Sequence, residues 1–261
     1  MSEIKKSRRD FLKQTTLATA GLTASTLLTS SGCSSAQSKD APACNLTEKN
    51  NVILFQGDSI TDWGRNRSKE AIPNDSQCLG SGYVLLAASA ILDEYAKVKP
   101  MIYNRGISGN KVYQLGERWD KDCISLKPNL LSILIGVNDY WHTLNAGYKG
   151  TLETYQKDYH LLIEKTKKEL PDVTLVICEP FVLKCGSVDE KWFPAFDGYR
   201  ASAKKVSEDF KAIFVGFQSV FDEAVKNAPP QYWAADGVHP TVAGTHLMAK
   251  TWLKTVFGIS A

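Results

Sequence analysis

The sequence lacks the patterns that would assign it to several large classes of protein. It contains no internal repeat, no Gly-x-Gly-x-x-Gly loop, and no Cys-x-x-Cys or His-x-x-x-His pair with the spacing of metal ligands. The formal net charge is only +3, and no long basic block occurs beyond the extreme N-terminus, so we do not expect a nucleic-acid partner. We predict that the protein needs neither a cofactor nor a resident metal ion.

Disulfide bonds are not expected to define the fold either. The chain has six cysteines; if Cys33 is used for lipidation, as argued below, an odd number remains at irregular spacing. Cys178 falls in an apolar strand-like run and is predicted to be a buried thiol. With 261 residues, 43% of them hydrophobic, the chain can bury one sizeable apolar core without such bonds.

The N-terminus resembles a bacterial twin-arginine export signal. Arg8 and Arg9, in the segment Ser-Arg-Arg-Asp-Phe-Leu-Lys, directly precede a modestly apolar run over residues 15–28. A membrane span is the alternative, but Thr, Ser and Gly dilute this run and no apolar stretch of about 20 residues exists. We therefore expect the protein to leave the bacterial cytoplasm by the twin-arginine route.

Cys33 follows the export signal in a segment that resembles a lipoprotein cleavage site. Ser30 stands where an aliphatic residue is usual, so two outcomes stay open: lipidation of Cys33, which gives a membrane-anchored lipoprotein, or simple cleavage nearby, which gives a periplasmic protein. Residues 34–50 are rich in Ser, Ala, Lys and Asn and are predicted to form a flexible tether. The predicted organisation is therefore a signal over 1–33, this tether, and one folded domain over 51–261.

The rest of the chain alternates between strand and helix patterns. Strands are predicted at 52–56, 100–104, 130–135, 173–178 and 212–216, and helices near 82–97, 152–169, 198–210 and 241–257. Repeated βα units imply a parallel sheet with helices on both faces. We predict an α/β fold of flavodoxin-like, three-layer α/β/α architecture with a five-stranded parallel sheet.

Three groups with the chemistry of acyl transfer occur in two short segments. Ser59 lies in Gly-Asp-Ser-Ile-Thr directly after the first predicted strand, and Asp236 and His239 lie three residues apart near the C-terminus. Ligands bind at the carboxyl ends of strands in open parallel sheets, and side chains three apart on one turn project to the same side. Each segment alone is more often a polar turn or a solvated helix start. Together they supply the nucleophile, base and acid of a covalent ester mechanism.

Two further segments end predicted strands with groups that could stabilise an oxyanion. Gly109, in Gly-Ile-Ser-Gly-Asn, would let the backbone approach a ligand and present its N–H group. Asn138, in Gly-Val-Asn-Asp, would donate from its side-chain amide without a change of charge. A turn residue bonded to its own backbone is the alternative for Asn138.

The four segments, in this order, resemble the sequence blocks of the SGNH or GDSL hydrolases. The resemblance extends over about residues 52–257 and implies the SGNH hydrolase fold. By this resemblance Ser59 is the nucleophile, His239 the general base and acid, and Asp236 the residue that orients His239. It also implies an oxyanion hole formed by the backbone N–H groups of Ser59 and Gly109 and by the Asn138 side chain.

A narrower resemblance points to the bacterial acetylxylan esterases, which remove acetyl groups from xylan or its oligosaccharides. It rests on GDSITDWGR, on LGSGY, on the segment from NRGISGN to ERWDKD, and on IGVNDYW. We expect a small acylated carbohydrate as substrate. The candidate substrate-binding residues are Trp141, His142, Trp192, Phe196 and Trp233. Trp192 and Phe196 belong to an aromatic segment that suits stacking on sugars, with local packing as the alternative. For Trp141 and His142, which could line the pocket, a plain loop role is the alternative.

Two other functions stay open from the sequence. A lysophospholipase or thioesterase would share the same triad, but it would need a long apolar channel or lid for its acyl chain. A non-catalytic carbohydrate-binding protein would keep the fold without needing the intact Ser59, Asp236 and His239 set. The sequence leaves the sugar, the acyl position and a homo-oligomeric state undetermined.

Overall fold

The computed structural model describes Leu46, Thr47 and residues 51–260. The export signal, Cys33, Cys44 and most of the 34–50 tether lie outside the described residues. Leu46 was predicted to belong to that tether, but its side chain is only 5% exposed and packs into the core. The tether prediction is therefore wrong at Leu46, because burial of this apolar side chain stabilises its segment against the folded domain.

The described residues form one sheet of five parallel strands, in the order β2-β1-β3-β4-β5. The strands are β1 (Val52–Gly57), β2 (Met101–Asn104), β3 (Leu130–Leu134), β4 (Thr174–Cys178) and β5 (Ile213–Val215). Every predicted strand is present, and no strand end is shifted by more than one residue. The observed order is the flavodoxin-like order, which confirms the predicted fold class.

Helices connect the strands in the described part of the chain. They are α1 (Ser59–Asp62), α2 (Ser76–Leu79), α3 (Tyr83–Glu94), α4 (Val112–Asp122), α5 (Val137–Asn145), α6 (Leu152–Glu169), α7 (Ala195–Asp209), α8 (Phe217–Ala224), α9 (Pro230–Trp233) and α10 (Val242–Phe257), with 3₁₀ turns at Arg67–Lys69, Ile124–Leu126 and Glu190–Trp192. None of these helices is both long and apolar enough to cross a membrane. The four predicted helices are present, and α4, α5 and α8 are among those that the sequence analysis missed.

The helices pack in two groups, which gives the sheet its outer layers. Helix α10 contacts both α3 and α8, and α6 contacts both α4 and α7. In the first group, Trp252 of α10 packs on Phe55 of β1 and donates a 3.0 Å hydrogen bond to Ser132 Oγ of β3. In the second, Trp119 of α4 donates to Thr166 Oγ1 of α6 at 2.9 Å. Both indole N–H groups are buried, and each therefore has the partner that burial requires.

The sulfur chemistry of the core is simple. Within the described residues, the four buried cysteines are free thiols: Cys78, Cys123, Cys178 and Cys185. Cys178 on β4 is fully buried, which confirms the prediction of a buried thiol. Burial raises its pKa to about 12, so this thiol stays protonated and behaves as a small apolar side chain.

Candidate active site

Ser59 is held at the carboxyl end of β1 by a tight turn. A Cβ atom on Gly57 would lie 2.4 Å from the carbonyl oxygen of Leu134, so only glycine lets β1 pass so close to β3. The Asp58 side chain then accepts a 3.0 Å hydrogen bond from the Ile60 N–H and caps helix α1. Ser59 is the first residue of α1 and is partly exposed at this edge of the sheet.

A continuous hydrogen-bonded chain joins Ser59, His239 and Asp236. Ser59 Oγ lies 2.8 Å from His239 Nε2, and His239 Nδ1 lies 2.7 Å from Asp236 Oδ2. The carboxylate can only accept when ionised, so Nδ1 carries the proton and Nε2 is free to accept the serine hydroxyl. The structure therefore brings together the three predicted groups, although Ser59 and His239 lie 180 residues apart in the sequence.

The loop that carries Asp236 and His239 is fixed by backbone contacts. Asp236 Oδ1 accepts from the N–H groups of Val238, at 2.9 Å, and His239, at 2.7 Å. Burial is the largest influence on this carboxyl and raises its pKa, but the hydrogen bonds from His239 and the backbone outweigh it, so the pKa is lowered. Gly237 has φ +86, and a Cβ there would lie 2.4 Å from the Cys185 carbonyl oxygen, which explains the glycine.

The loop that contains Gly109 is joined by hydrogen bonds both to the helix that carries Asn138 and to the serine turn. Gly109 has φ +82, a left-handed conformation that favours glycine. The buried Asn138 side chain, on the first turn of α5, donates a 3.2 Å hydrogen bond to the Asn110 carbonyl oxygen. Since an amide NH₂ has two donors, one N–H of Asn138 is left for a ligand. The Ile107 N–H donates to the Gly57 carbonyl oxygen at 3.0 Å, which ties this loop to the serine turn.

Asp62 is a site residue that the sequence analysis left without a role. Its Oδ2 atom accepts from Arg67, at 2.7 Å, and from the backbone N–H and hydroxyl of Ser108, at 2.9 and 2.8 Å. Arg65, whose side chain is fully buried, donates from Nε to the Gly106 carbonyl oxygen at 2.7 Å. Both side chains come from the segment that contains Ser59, and both bind the loop that contains Gly109. The sequence did contain a signal for these two residues, because Asp62 and Arg65 both belong to the GDSITDWGR motif.

Two tryptophans contact the imidazole of His239. The ring centroids of Trp63 and Trp141 lie 6.0 and 6.1 Å from that of His239, and both indoles are partly exposed. Trp141 was predicted to lie in the pocket, whereas Trp63 was missed. Trp63 ends α1 with φ +37, a conformation uncommon for a residue with a side chain. The chain leaves helix α1 at this residue.

His142 lies beside Gly109, on the next position of α5 after Trp141. A Cβ atom on Gly109 would lie 3.8 Å from His142 Cε1. On the same ring, His142 Nδ1 lies 3.1 Å from Lys111 Nζ. The structure thus brings the predicted residues Trp141 and His142 to the same edge as the triad.

Two of the other predicted substrate-binding residues lie in the core rather than at the site. Trp192 and Phe196 are 1% and 0% exposed and pack around Tyr140, so the prediction that they bind sugar is wrong; these rings form a core cluster behind Trp141. Trp192 also donates from Nε1 to the Ser187 carbonyl oxygen at 3.1 Å. Trp233 is partly exposed, donates to the Ala228 carbonyl oxygen at 3.2 Å and packs on Tyr232; its role in substrate binding stays a prediction.

Two carboxyl groups beside the catalytic residues are buried. Burial raises the pKa of Asp58 to about 7, although the hydrogen bond from Ile60 and the charge of His239 act against it. Burial likewise raises the pKa of Asp139 to about 7 against a hydrogen bond from the Val112 N–H. Groups so strongly perturbed cluster at functional sites.

Comparisons with known proteins agree with this geometry. The model of the GDSL-like lipase/acylhydrolase family matches residues 55–247. An acetylxylan esterase from Geobacillus stearothermophilus is 32% identical over 206 residues, which cover 78% of this chain and 93% of that protein. A crystal structure from Parabacteroides merdae, named for a GDSL-like lipase, is 56% identical with a TM-score of 0.80, and the match covers 82% of this chain and 99% of that chain.

The crystal structure of Axe2, an acetylxylan esterase from Geobacillus stearothermophilus, matches with 31% identity and a TM-score of 0.71, over 80% of this chain and 95% of that chain. Solved structures of Axe2 include catalytic mutants in which a serine, an aspartate or a histidine is replaced by alanine, the last two lying three positions apart. The family match covers most of the present chain, and the relatives match over nearly their whole length. This chain therefore belongs to the GDSL-like lipase/acylhydrolase family and is a carboxylic ester hydrolase.

Proposed function

We propose that this protein is an exported serine esterase that removes acetyl groups from carbohydrate, such as acetylated xylan or xylo-oligosaccharides, through an acyl intermediate on Ser59. The observation that carries the proposal is the hydrogen-bonded chain from Ser59 Oγ through His239 to Asp236, with separations of 2.8 and 2.7 Å. The catalytic mutants of Axe2, at a serine and at an aspartate and histidine of the same spacing, support these roles.

In this mechanism Ser59 Oγ attacks the ester carbonyl carbon while His239 Nε2 takes the hydroxyl proton. Asp236 holds the Nδ1 proton and stabilises the imidazolium that forms. The oxyanion of the tetrahedral intermediate binds the backbone N–H groups of Ser59 and Gly109 and the free N–H of Asn138. His239 gives its proton to the leaving alcohol, and a water molecule, activated by His239 in turn, releases acetate from Ser59.

A small acyl group is the choice that the surroundings of the catalytic base support. Trp63 and Trp141 both pack against His239, so two bulky rings flank the imidazole that serves Ser59. A tight pocket makes each additional methylene cost about 1–3 kcal/mol through strain or displaced contacts. The carbohydrate part of the proposal rests on the acetylxylan esterases among the relatives.

A lipid acylhydrolase is the second candidate. It is favoured by one observation, the name of the 56% identical Parabacteroides merdae protein, a GDSL-like lipase. The two candidates share the triad and differ in the length of the acyl chain and in the alcohol, so substrate length separates them.

The experiment is a series of p-nitrophenyl esters from acetyl to octanoyl, together with acetate release from acetylated xylo-oligosaccharides. We expect kcat/KM to fall at least about tenfold from acetyl to butyryl, and Trp63→Ala to reduce that difference. A preference of the wild type for octanoyl would overturn the carbohydrate proposal in favour of the lipid one. Ser59→Ala is the matched control, and it should lose at least about 10³-fold in kcat while it remains folded.

A further inference from the structure

Lys111 is a buried cation at the edge of the active site, and the mechanism above does not use it. It caps the start of α4, and the residue is only 7% exposed. Its Nζ atom lies 3.1 Å from His142 Nδ1 and 3.4 Å from the Gly109 carbonyl oxygen. It also lies 5.7 and 5.1 Å from the ring centroids of Tyr113 and Tyr148, which stack on each other.

These contacts suit a charged ammonium group. Two tyrosine faces within about 6 Å attract a cation, and the Gly109 carbonyl oxygen accepts a hydrogen bond from the ammonium group. Burial lowers the pKa of Lys111, and the negative charge of Asp139 acts in the opposite direction. Burial and then the charge of Lys111 lower the pKa of His142, so a neutral imidazole lies beside the ammonium.

The pairing fixes the tautomer of that imidazole. A lysine ammonium has three donors and no acceptor, so His142 Nδ1 must accept the hydrogen bond from Lys111. The single ring proton then resides on Nε2, which is a donor. His239 has the opposite arrangement, because its Nδ1 donates to the Asp236 carboxylate. One active site thus contains two histidines locked in opposite tautomers.

His142 faces the same space as the catalytic groups. Asn138, Trp141 and His142 occupy positions i, i+3 and i+4 of α5, which share one helix face. Trp141 contacts His239, and the His142 ring lies against Gly109. The residue is only partly buried, so its Nε2–H is a fixed, neutral donor next to the oxyanion loop and open to a bound molecule.

We propose that Lys111 is a positioning residue that locks His142 as an Nε2–H donor, and that this donor binds a hydroxyl or ring oxygen of the sugar beside the scissile ester. The inference rests on the proposed function, since it names a group that would select a carbohydrate alcohol over a simple one. A neutral donor suits a sugar oxygen, and the Lys111 charge remains shielded behind the ring.

The tautomer is tested directly by ¹H–¹⁵N long-range NMR of the folded protein labelled on histidine. We expect the wild-type His142 to show a protonated Nε2 and an unprotonated Nδ1, with the reverse pattern for His239 as an internal control. The His142 signals are identified as those that disappear in His142→Gln. Lys111→Met should convert the His142 signals toward a mixture of tautomers, whereas Lys226→Met, at an exposed lysine paired with Glu223, should leave them unchanged. A wild-type His142 protonated on Nδ1 overturns the proposal. Because this result comes from the wild type, it does not depend on whether Lys111→Met folds.

Kinetics test the ligand. On acetylated xylo-oligosaccharides we expect His142→Phe to raise KM about tenfold, the loss of one hydrogen bond to a neutral partner, with a much smaller rise on p-nitrophenyl acetate, which has no sugar oxygen. His142→Gln keeps a donor near the Nε2 position and should recover most of the loss. An equal loss of kcat on both substrates would instead place His142 in the oxyanion hole and overturn the sugar contact. A wild type inactive on acetylated sugars but active on other esters would refute the proposed substrate and, with it, the sugar contact, while the tautomer result would stand.

Discussion

Asp58, the residue before the nucleophile, lowers the free energy of unfolding when its buried carboxyl ionises, and a single substitution should remove this effect. The carboxyl is 1% exposed, and burial raises its pKa from 3.8 to about 7, with smaller opposing influences from the Ile60 hydrogen bond and the His239 charge. A carboxyl with a pKa raised by folding stabilises the protein fully below pH 3.8, and this stabilisation is lost as the pH rises through about 7. At about 1.36 kcal/mol for each tenfold change in dissociation constant, the loss approaches about 4 kcal/mol above pH 7.

Asp58→Asn should recover that free energy without losing the cap. The amide oxygen can still accept from the Ile60 N–H, and the amide does not ionise. We expect the variant to match the wild type near pH 4 and to exceed its free energy of unfolding by about 2–4 kcal/mol at pH 8. We also expect kcat to fall, because the Asp58 charge no longer stabilises the imidazolium of His239.

Urea unfolding at pH 4.5, 6 and 8, with tryptophan fluorescence as the readout, measures this difference. Asp120→Asn, at a 77% exposed side chain on α4, controls for the loss of one negative charge. Equal stabilities of Asp58→Asn and wild type at pH 8 would show that the Asp58 carboxyl is not destabilised by burial, and the reasoning would fail.

Three further substitutions test other parts of the account. Asn138→Ala removes a donor to the oxyanion and should lower kcat about 10²-fold with little change in KM, by steady-state kinetics; a raised KM with unchanged kcat would make Asn138 a binding residue instead. Asp62→Asn weakens the anchor of Ser108 and should lower both kcat and the free energy of unfolding, the latter by about 1–3 kcal/mol in urea titrations; full activity would mean that the loop needs no such anchor. Replacement of Arg8 and Arg9 by lysine should retain the precursor in the cytoplasm, as judged by cell fractionation, and unchanged export would rule out the twin-arginine route.

The sheet and the triad were predictable because their signals are local and independent. Apolar runs that end in glycine mark β1 and β3, and the chemistry of Ser59, Asp236 and His239 is visible in residue type and spacing. The shorter helices were missed for a physical reason. Helix α4 is strongly polar on one side, and α5 begins within a motif that resembles a loop, so tertiary contacts decide both.

The substrate-binding residues were harder to predict than the triad, because a sequence gives no direction for an aromatic side chain. Trp192 and Phe196 look like a sugar platform in the sequence, yet packing around Tyr140 buries both. Trp63 lies in the GDSITDWGR motif, but only the folded structure shows that its ring centroid lies 6.0 Å from that of His239. Long-range contacts thus decide the pocket, and they have no local pattern.

The central claim is an acyl intermediate on Ser59, and rapid-quench mass spectrometry tests it most directly. The protein is mixed with p-nitrophenyl acetate, quenched in acid within the first turnovers, digested, and searched for one added acetyl group. The account predicts acetylation of the peptide that contains Ser59, at a rate that keeps pace with turnover, and none in Ser59→Ala. Turnover without any acetylated peptide, or acetylation that tracks turnover at another residue, would contradict it.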